Sequence, residues 1–209
     1  MTSINFRPFF IPMAGLLMGA PTLLPGCGNS PQKEQAAEVQ KPATDTANLS
    51  VEQLDGMIAK EPENSQLYYE RALAYYEYGD LASALKDFDK TLELEPDFAS
   101  AFHDRGICRF ELGMADQAMG DFDKAIELDS SYYEAYFNRA LIHDEKGHKK
   151  EALADLTRAI EINPEFGDAY YNRGVYLLNT DRKKACADFQ KASDLGIQEA
   201  RLTLQQYCK

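Results

Sequence analysis

From residue 65 onward the large apolar side chains recur on a 34-residue period, and the chain lays out as four units beginning at Ser65, Ala99, Tyr133 and Gly167. The fourth position of each unit is aromatic (Tyr68, Phe102, Tyr136, Tyr170), and the eighth is small (Ala72, Gly106, Ala140, Gly174). A small residue returns at Ala84, Ala118, Ala152 and Ala185, and a large one follows four places later at Phe88, Phe122, Leu156 and Phe189. Gly79, Gly113 and Gly147 stand at position 15 of the first three units, where glycine can take the left-handed conformation that ends a helix. Pro62 and Pro96 are one period apart, and Pro164 lies two periods further on, with Ser130 between. Both flanks read as helices. Ser50 and Gln53 are spaced as a capping box ahead of the stripe Leu54, Met57 and Ile58. Gln198–Tyr207 carries Ala200, Leu202, Leu204 and Tyr207.

This order of aromatic, small, aromatic and small residues on this period resembles the tetratricopeptide repeat, a helix–turn–helix unit. The resemblance covers residues 63–196 and implies an all-α solenoid of about four hairpins, near 65–98, 99–132, 133–166 and 167–196. Small residues let the two helices of a hairpin approach, and aromatics fill the space between them. No unit covers its apolar face alone, so residues 49–62 and 197–209 are expected to cap the two ends. The fourth unit lacks the glycine and is one residue short, which leaves its inter-helix turn open.

Composition changes the picture mainly at the N-terminus. A hydrophobic content of 44% suffices for a core. The net charge of −12 argues against sequence-independent nucleic-acid binding. Residues 1–26 hold one charged side chain, Arg7, before an apolar run from Phe9 to Ala20 that Pro12 interrupts, which matches a secretory signal. The exit Leu24-Pro25-Gly26-Cys27 resembles a bacterial lipobox, although Pro25 departs from it, and implies acylation of Cys27. An ordinary cleaved signal with an incidental cysteine is the alternative. Residues 27–48 then form a lipidated cysteine and a flexible tether, because Gly28 to Ala47 have almost no large apolar side chain. By the same resemblance Gly28 favours the outer membrane, periplasm-facing or surface-exposed. Without residues 1–26 the charged side chains are 21 basic and 34 acidic, a net −13.

Two sets of polar residues follow the period. Position 7 is Arg71, Arg105, Arg139 and Arg173, and position 23 is Asp87, Asp121, Asp155 and Asp188. An Arg and an Asp on the two helices of every hairpin point to structural ion pairs. A binder of phosphate or carboxylate is the alternative. On a helical wheel, positions 2, 5, 6, 9, 12 and 13 lie opposite the hairpin's own contact face, and in the family that side lines the concave groove. Candidate groove residues are Tyr69, Glu70, Tyr76, His103, Asp104, Phe110, Phe137, Asn138, Asp144, Tyr171 and Asn172. These positions hold eight acids and no Lys or Arg, which excludes the basic clamp some family members use on acidic C-termini. Asn138 and Asn172 are similar to part of an asparagine ladder that relatives use on a peptide backbone. The expected ligand is an extended neutral-to-basic segment of another protein; the bland alternative is a solvated acidic face.

If the chain turns back at Leu195-Gly196-Ile197, Cys186 and Cys208 fall opposite each other, as a disulfide or as two free thiols. Cys108 is expected to be a buried thiol. His103, His143 and His148 share no spacing that suits zinc, and no phosphate loop or nucleophile motif is present. The chain therefore reads as a non-enzymatic adaptor with no cofactor and no metal. Its partners would be other envelope proteins or peptides, with the membrane reached through the lipid anchor. A structural envelope lipoprotein that self-associates into a homo-oligomer is the competing function.

Overall fold

The structure, a computed structural model, describes residues 49–208. The expected signal (1–26), Cys27 and the tether (27–48) lie outside the described residues. Ten helices follow one another: α1 Val51–Ile58, α2 Ser65–Glu77, α3 Leu81–Leu94, α4 Ala99–Glu111, α5 Ala115–Leu128, α6 Tyr133–Glu145, α7 Lys149–Ile162, α8 Gly167–Leu177, α9 Arg182–Asp194 and α10 Gln198–Tyr207. Helices α2/α3, α4/α5, α6/α7 and α8/α9 form hairpins, and the second helix of each (helix B) packs on the first (helix A) of the next. α1 packs on α2, and α10 packs on α9, so the stack is an all-α solenoid closed by a helix at either end. No helix among the described residues is long and apolar enough to cross a membrane.

Backbone constraints fix the hairpins. Gly79, Gly113 and Gly147 have φ of 77°, 75° and 75°, the left-handed conformation that L side chains rarely adopt. The fourth turn is made another way: α8 stops at Leu177, whose carbonyl accepts from both Thr180 N and Asp181 N, and the Asp181 side chain caps α9 at Lys184 N.

Phe88, Phe122, Leu156 and Phe189 are completely buried at the centres of the four hairpins. Helices α4 and α5 approach so closely that a Cβ on Gly106 would lie 2.8 Å from Phe122, and one on Gly174 would lie 2.7 Å from Phe189. The pairing of glycine with phenylalanine in units 2 and 4 is thus a fit of volume, met in unit 3 by Ala140 and Leu156.

At the N-terminal end Ser50 Oγ accepts from Gln53 N, while Ser50 N donates to Gln53 Oε1. Leu54 is buried against the stack. At the other end, α10 buries Ala200 and Thr203, and Gln198, Glu199, Arg201, Gln205 and Gln206 face water. A disulfide joins Cys186 in α9 to Cys208 after α10, and Arg182 Nε donates to the Tyr207 carbonyl beside it. Closing a loop of this length contributes about 3 kcal/mol. Reduction is therefore expected to speed hydrogen exchange in α10 by up to about a hundred-fold while α2–α7 keep their protection. Unchanged exchange in α10 after reduction contradicts this assignment.

Candidate functional site

The position-7 arginines lie between helices. Arg71 Nε and Nη2 donate to the two oxygens of Asp87 at 2.6 and 2.8 Å. Arg105 does the same with Asp121 at 3.1 and 2.7 Å, Arg139 with Asp155 at 2.8 and 2.7 Å, and Arg173 with Asp188 at 2.8 Å twice. Each guanidinium also sits over the position-4 ring of its own helix, 5.3 to 5.6 Å from the centroid. The remaining nitrogen reaches back one unit. Nη1 of Arg71, Arg105 and Arg139 donates to Asp55 (2.5 Å), Asp89 (2.8 Å) and Asp123 (2.7 Å) on the preceding helix. Arg109 adds a further bond to Asp121, at 2.7 Å. The bond to Asp87 holds the Arg71 guanidinium far above its ordinary range, and Arg139 is raised likewise by Asp155. With their forks engaged on both sides, these three arginines present no free face to an outside anion.

In the fourth unit the rung is incomplete. Thr157 occupies the place of the outer acid, and its hydroxyl donates to Leu153 O. Glu161 acts on Arg173 only as a weak additional charge.

The inner side differs from the groove that the helical wheel suggests. Tyr69, His103, Phe137 and Tyr171 are 7%, 0%, 1% and 4% exposed, so the position-5 aromatics do not line an open surface. Each is roofed by the residue that begins the next helix A. Phe98 lies 4.7 Å from Tyr69, Tyr132 4.8 Å from His103 and Phe166 4.9 Å from Phe137, centroid to centroid, and Ile197 joins the cluster around Tyr171. Asp104, Asn138 and Asn172 are buried as well. Tyr69 OH donates to Asp104 Oδ2 at 2.6 Å, and His103 Nδ1 is 2.9 Å from Asp104 Oδ1. Asn138 Nδ2 is 2.9 Å from His103 Nε2. An amide nitrogen can only donate, so Nε2 accepts and the ring proton sits on Nδ1. Burial and the Asp104 carboxylate push the Tyr69 phenol far upward.

This polar chain crosses units 1, 2 and 3 and ends at Asn138, whose Oδ1 has no hydrogen-bond partner. Both amide atoms of Asn172 are also unpartnered, a cost of about 1–3 kcal/mol for a buried polar group. Units 3 and 4 do share the Tyr176–Asp144 contact; burial, and after it the Asp144 carboxylate, raises the Tyr176 phenol.

The groove residues that reach the surface are Glu70, Tyr76, Phe110 and Asp144, all half-buried. Glu70 accepts from Gln66 Nε2 at 2.7 Å, and Tyr76 OH donates to Glu111 Oε1 at 2.6 Å. Glu77, Glu111 and Glu145 form an exposed column, beside a furrow lined by Leu73, Tyr76, Phe88, Asp104 and Ile107. Of the eight inner acids, Asp104 and Glu134 are buried. His143 Nε2 lies 3.8 Å from Asp155, and His148 starts α7 in water. Burial pushes the Cys108 thiol up to about 12. Among the described residues no three His, Cys, Asp or Glu side chains are grouped to hold a metal.

Two recurring sets were not recognised from the sequence, although both follow its period: the outer acids Asp55, Asp89 and Asp123, and the roofing aromatics Phe98, Tyr132 and Phe166.

Hairpin stacking and site geometry together define a tetratricopeptide-repeat solenoid, and the tetratricopeptide repeat model matches residues 65–98 and 133–166. The solved structure of MamA is similar, with a TM-score of 0.64 and 23% identity over 72% of this chain and 89% of that one. The Arabidopsis OM64 tetratricopeptide domain has a TM-score of 0.53 and 25% identity over 55% of this chain and 94% of its own. The first such domain of Spaghetti (RPAP3), bound to the HSP90 peptide SRMEEVD, has a TM-score of 0.53 and 22% identity over 55% and 91%. No curated protein matches the chain. The chain carries tetratricopeptide repeats and has their fold, which suggests a protein-interaction scaffold.

Completing the outer ladder should stabilise the fourth unit. Thr157→Asp places an acid in register with Asp123 at little change in helix propensity. The partly exposed pair is expected to add about 0.5 kcal/mol, or ~1–2 °C in Tm. A lower Tm in calorimetry contradicts the register.

Proposed function

We propose that the chain is a non-catalytic adaptor of the bacterial cell envelope that holds an extended, neutral-to-basic segment of a partner protein against its inner face. The sign of that face carries the reading. Glu77, Glu111 and Glu145 stand exposed at one-period intervals, Glu70 and Asp144 lie beside them, and the inner positions hold no Lys or Arg. The shallow furrow between α2 and α4 offers the half-buried Leu73 and Tyr76 to an apolar side chain, while neighbouring cations of the same segment meet the glutamates. The Spaghetti domain is bound to a peptide with three acidic side chains. A face of fixed negative charge calls for a partner of the opposite sign. Two copies meeting through this face would repel, which disfavours self-association by that route.

The envelope location rests on residues 1–26 as a signal, acylated Cys27 as the anchor and residues 28–48 as the tether. Such an anchor holds the solenoid near a membrane while leaving it free to reach a partner.

Because Asp104 is buried on Tyr69 and His103, the useful charge reversals are at the exposed column. Glu77→Lys, Glu111→Lys and Glu145→Lys combined should weaken binding of an extended Leu- and Arg-containing peptide by at least about ten-fold at low salt, with the difference shrinking as salt is raised. Equal affinity of the two proteins in a titration calorimeter sinks the reading.

A further inference from the structure

The turns between helix A and helix B fall on one edge of the stack. Lys146 at the end of α6 pairs with Asp116 in the first turn of α5, which sets neighbouring turns side by side. This edge is chemically uneven. Units 1 and 2 place Tyr78 and Leu112 on it, 76% and 46% exposed, each one residue before its turn glycine. Besides Leu202 these are the exposed large apolar side chains among the described residues. Units 3 and 4 place Lys149 and Lys150 at the start of α7, and Arg182, Lys183 and Lys184 at the start of α9, all of them exposed.

Cations are disfavoured at these positions. A helix start is the positive end of the backbone dipole, where acidic side chains are stabilising and basic ones are not. The corresponding first turns of α3 (Leu81, Ala82, Ser83) and α5 (Ala115, Asp116, Gln117) carry no cation. Arg182 is engaged with the Tyr207 carbonyl. Lys149, Lys150, Lys183 and Lys184 enter no ion pair with a described residue. The nearby acids are Glu145, Glu151 and Asp181 at this end of the edge, and Glu77, Asp80, Glu111 and Asp116 at the other. A chain with 34 acidic and 22 basic side chains therefore gathers unpaired cations in two adjacent first turns, where they oppose the helix dipoles.

We propose that this turn edge docks the solenoid on an anionic bilayer surface. Lys149, Lys150, Lys183 and Lys184 meet the lipid phosphates, and Tyr78 and Leu112 enter the interface alongside them. The row is spread over separate turns rather than converging on one point, which suits a charged plane. Tyrosine and leucine on the same edge suit the headgroup boundary, where a ring can keep its hydroxyl in water. An acidic protein segment would use the lysines but has no need of the apolar pair. Edge-on docking leaves the inner face open to the side. This inference rests on neither the groove reading nor the anchor at Cys27.

The test is co-sedimentation of the full chain with vesicles of phosphatidylcholine alone and of phosphatidylcholine mixed with phosphatidylglycerol. The N-terminal residues contribute with Arg7, Lys33 and Lys41 in both wild type and variant, so the loss on reversing the four edge lysines reports the edge. The wild type is expected to partition at least about ten-fold more strongly onto the anionic vesicles at low salt. Lys149→Glu, Lys150→Glu, Lys183→Glu and Lys184→Glu combined should abolish that preference, with an unchanged helical circular-dichroism spectrum showing that the fold is kept. Tyr78→Ser with Leu112→Ser should weaken binding several-fold without changing its salt dependence. Equal partitioning of the wild type onto the two vesicle types overturns the proposal, as does a preference that survives the four reversals. Binding to poly-glutamate without binding to anionic vesicles also overturns it, and assigns the edge to an acidic protein segment.

Discussion

The rung built around each position-7 arginine is the interaction on which the solenoid depends. One guanidinium joins three helices: its own, through the aromatic ring one turn earlier; the partner helix of its hairpin, through a two-point contact; and the preceding unit, through Asp55, Asp89 or Asp123. Arginine suits this place because its donors form a planar fork that stays charged. The inner acids of the rungs, Asp87, Asp121, Asp155 and Asp188, are at most 7% exposed, so each needs its cation. The outer acids are half in water and contribute less, but they alone among these contacts tie a unit to the one before it. On the opposite side, Tyr69, Asp104, His103 and Asn138 make a second inter-unit chain. Both run through units 1 to 3 and stop before the fourth, where Thr157 and Asn172 stand in their paths.

Much of this was legible in the sequence. The unit starts at Ser65, Ala99, Tyr133 and Gly167 coincide with the first residues of α2, α4, α6 and α8, because small and aromatic positions report helix contact directly. The acids facing Arg71, Arg105, Arg139 and Arg173 were visible because both partners lie within one period. The groove was harder to read. A helical wheel divides a helix into one packed face and one free face, which holds for an isolated hairpin. In the stack each helix A is packed on both sides, so the face opposite its own partner, with Tyr69, His103, Phe137 and Tyr171, is also core. The roofing residues Phe98, Tyr132 and Phe166 begin the next unit, and a reading made one unit at a time assigns them to a loop. Asp89 and Asp123 escaped for a related reason: on a single hairpin they lie on the wet side of helix B.

The buried aromatics change what the inner face can offer. Its floor is a closed layer, hydrogen-bonded internally from Tyr69 to Asn138, and what remains for a partner is a shallow apolar furrow with glutamates along one side. Such a face selects by charge and by extended shape more than by a deep pocket, which fits a scaffold that holds a segment loosely and in register. The rigid part of that face is the part spanned by both ladders. The fourth unit, stapled to α10 by Cys186–Cys208, is joined to the third by apolar packing and the Tyr176–Asp144 contact, without either ladder.

Native-state hydrogen exchange measured against denaturant tests this division most directly, because it assigns an opening free energy to each helix. If the ladders couple the units, amides of α2–α7 open together at one common free energy, and those of α8 and α9 open at a distinctly lower one. A single free energy shared by α4–α9, or lower protection in α4–α7 than in α8 and α9, would contradict the account.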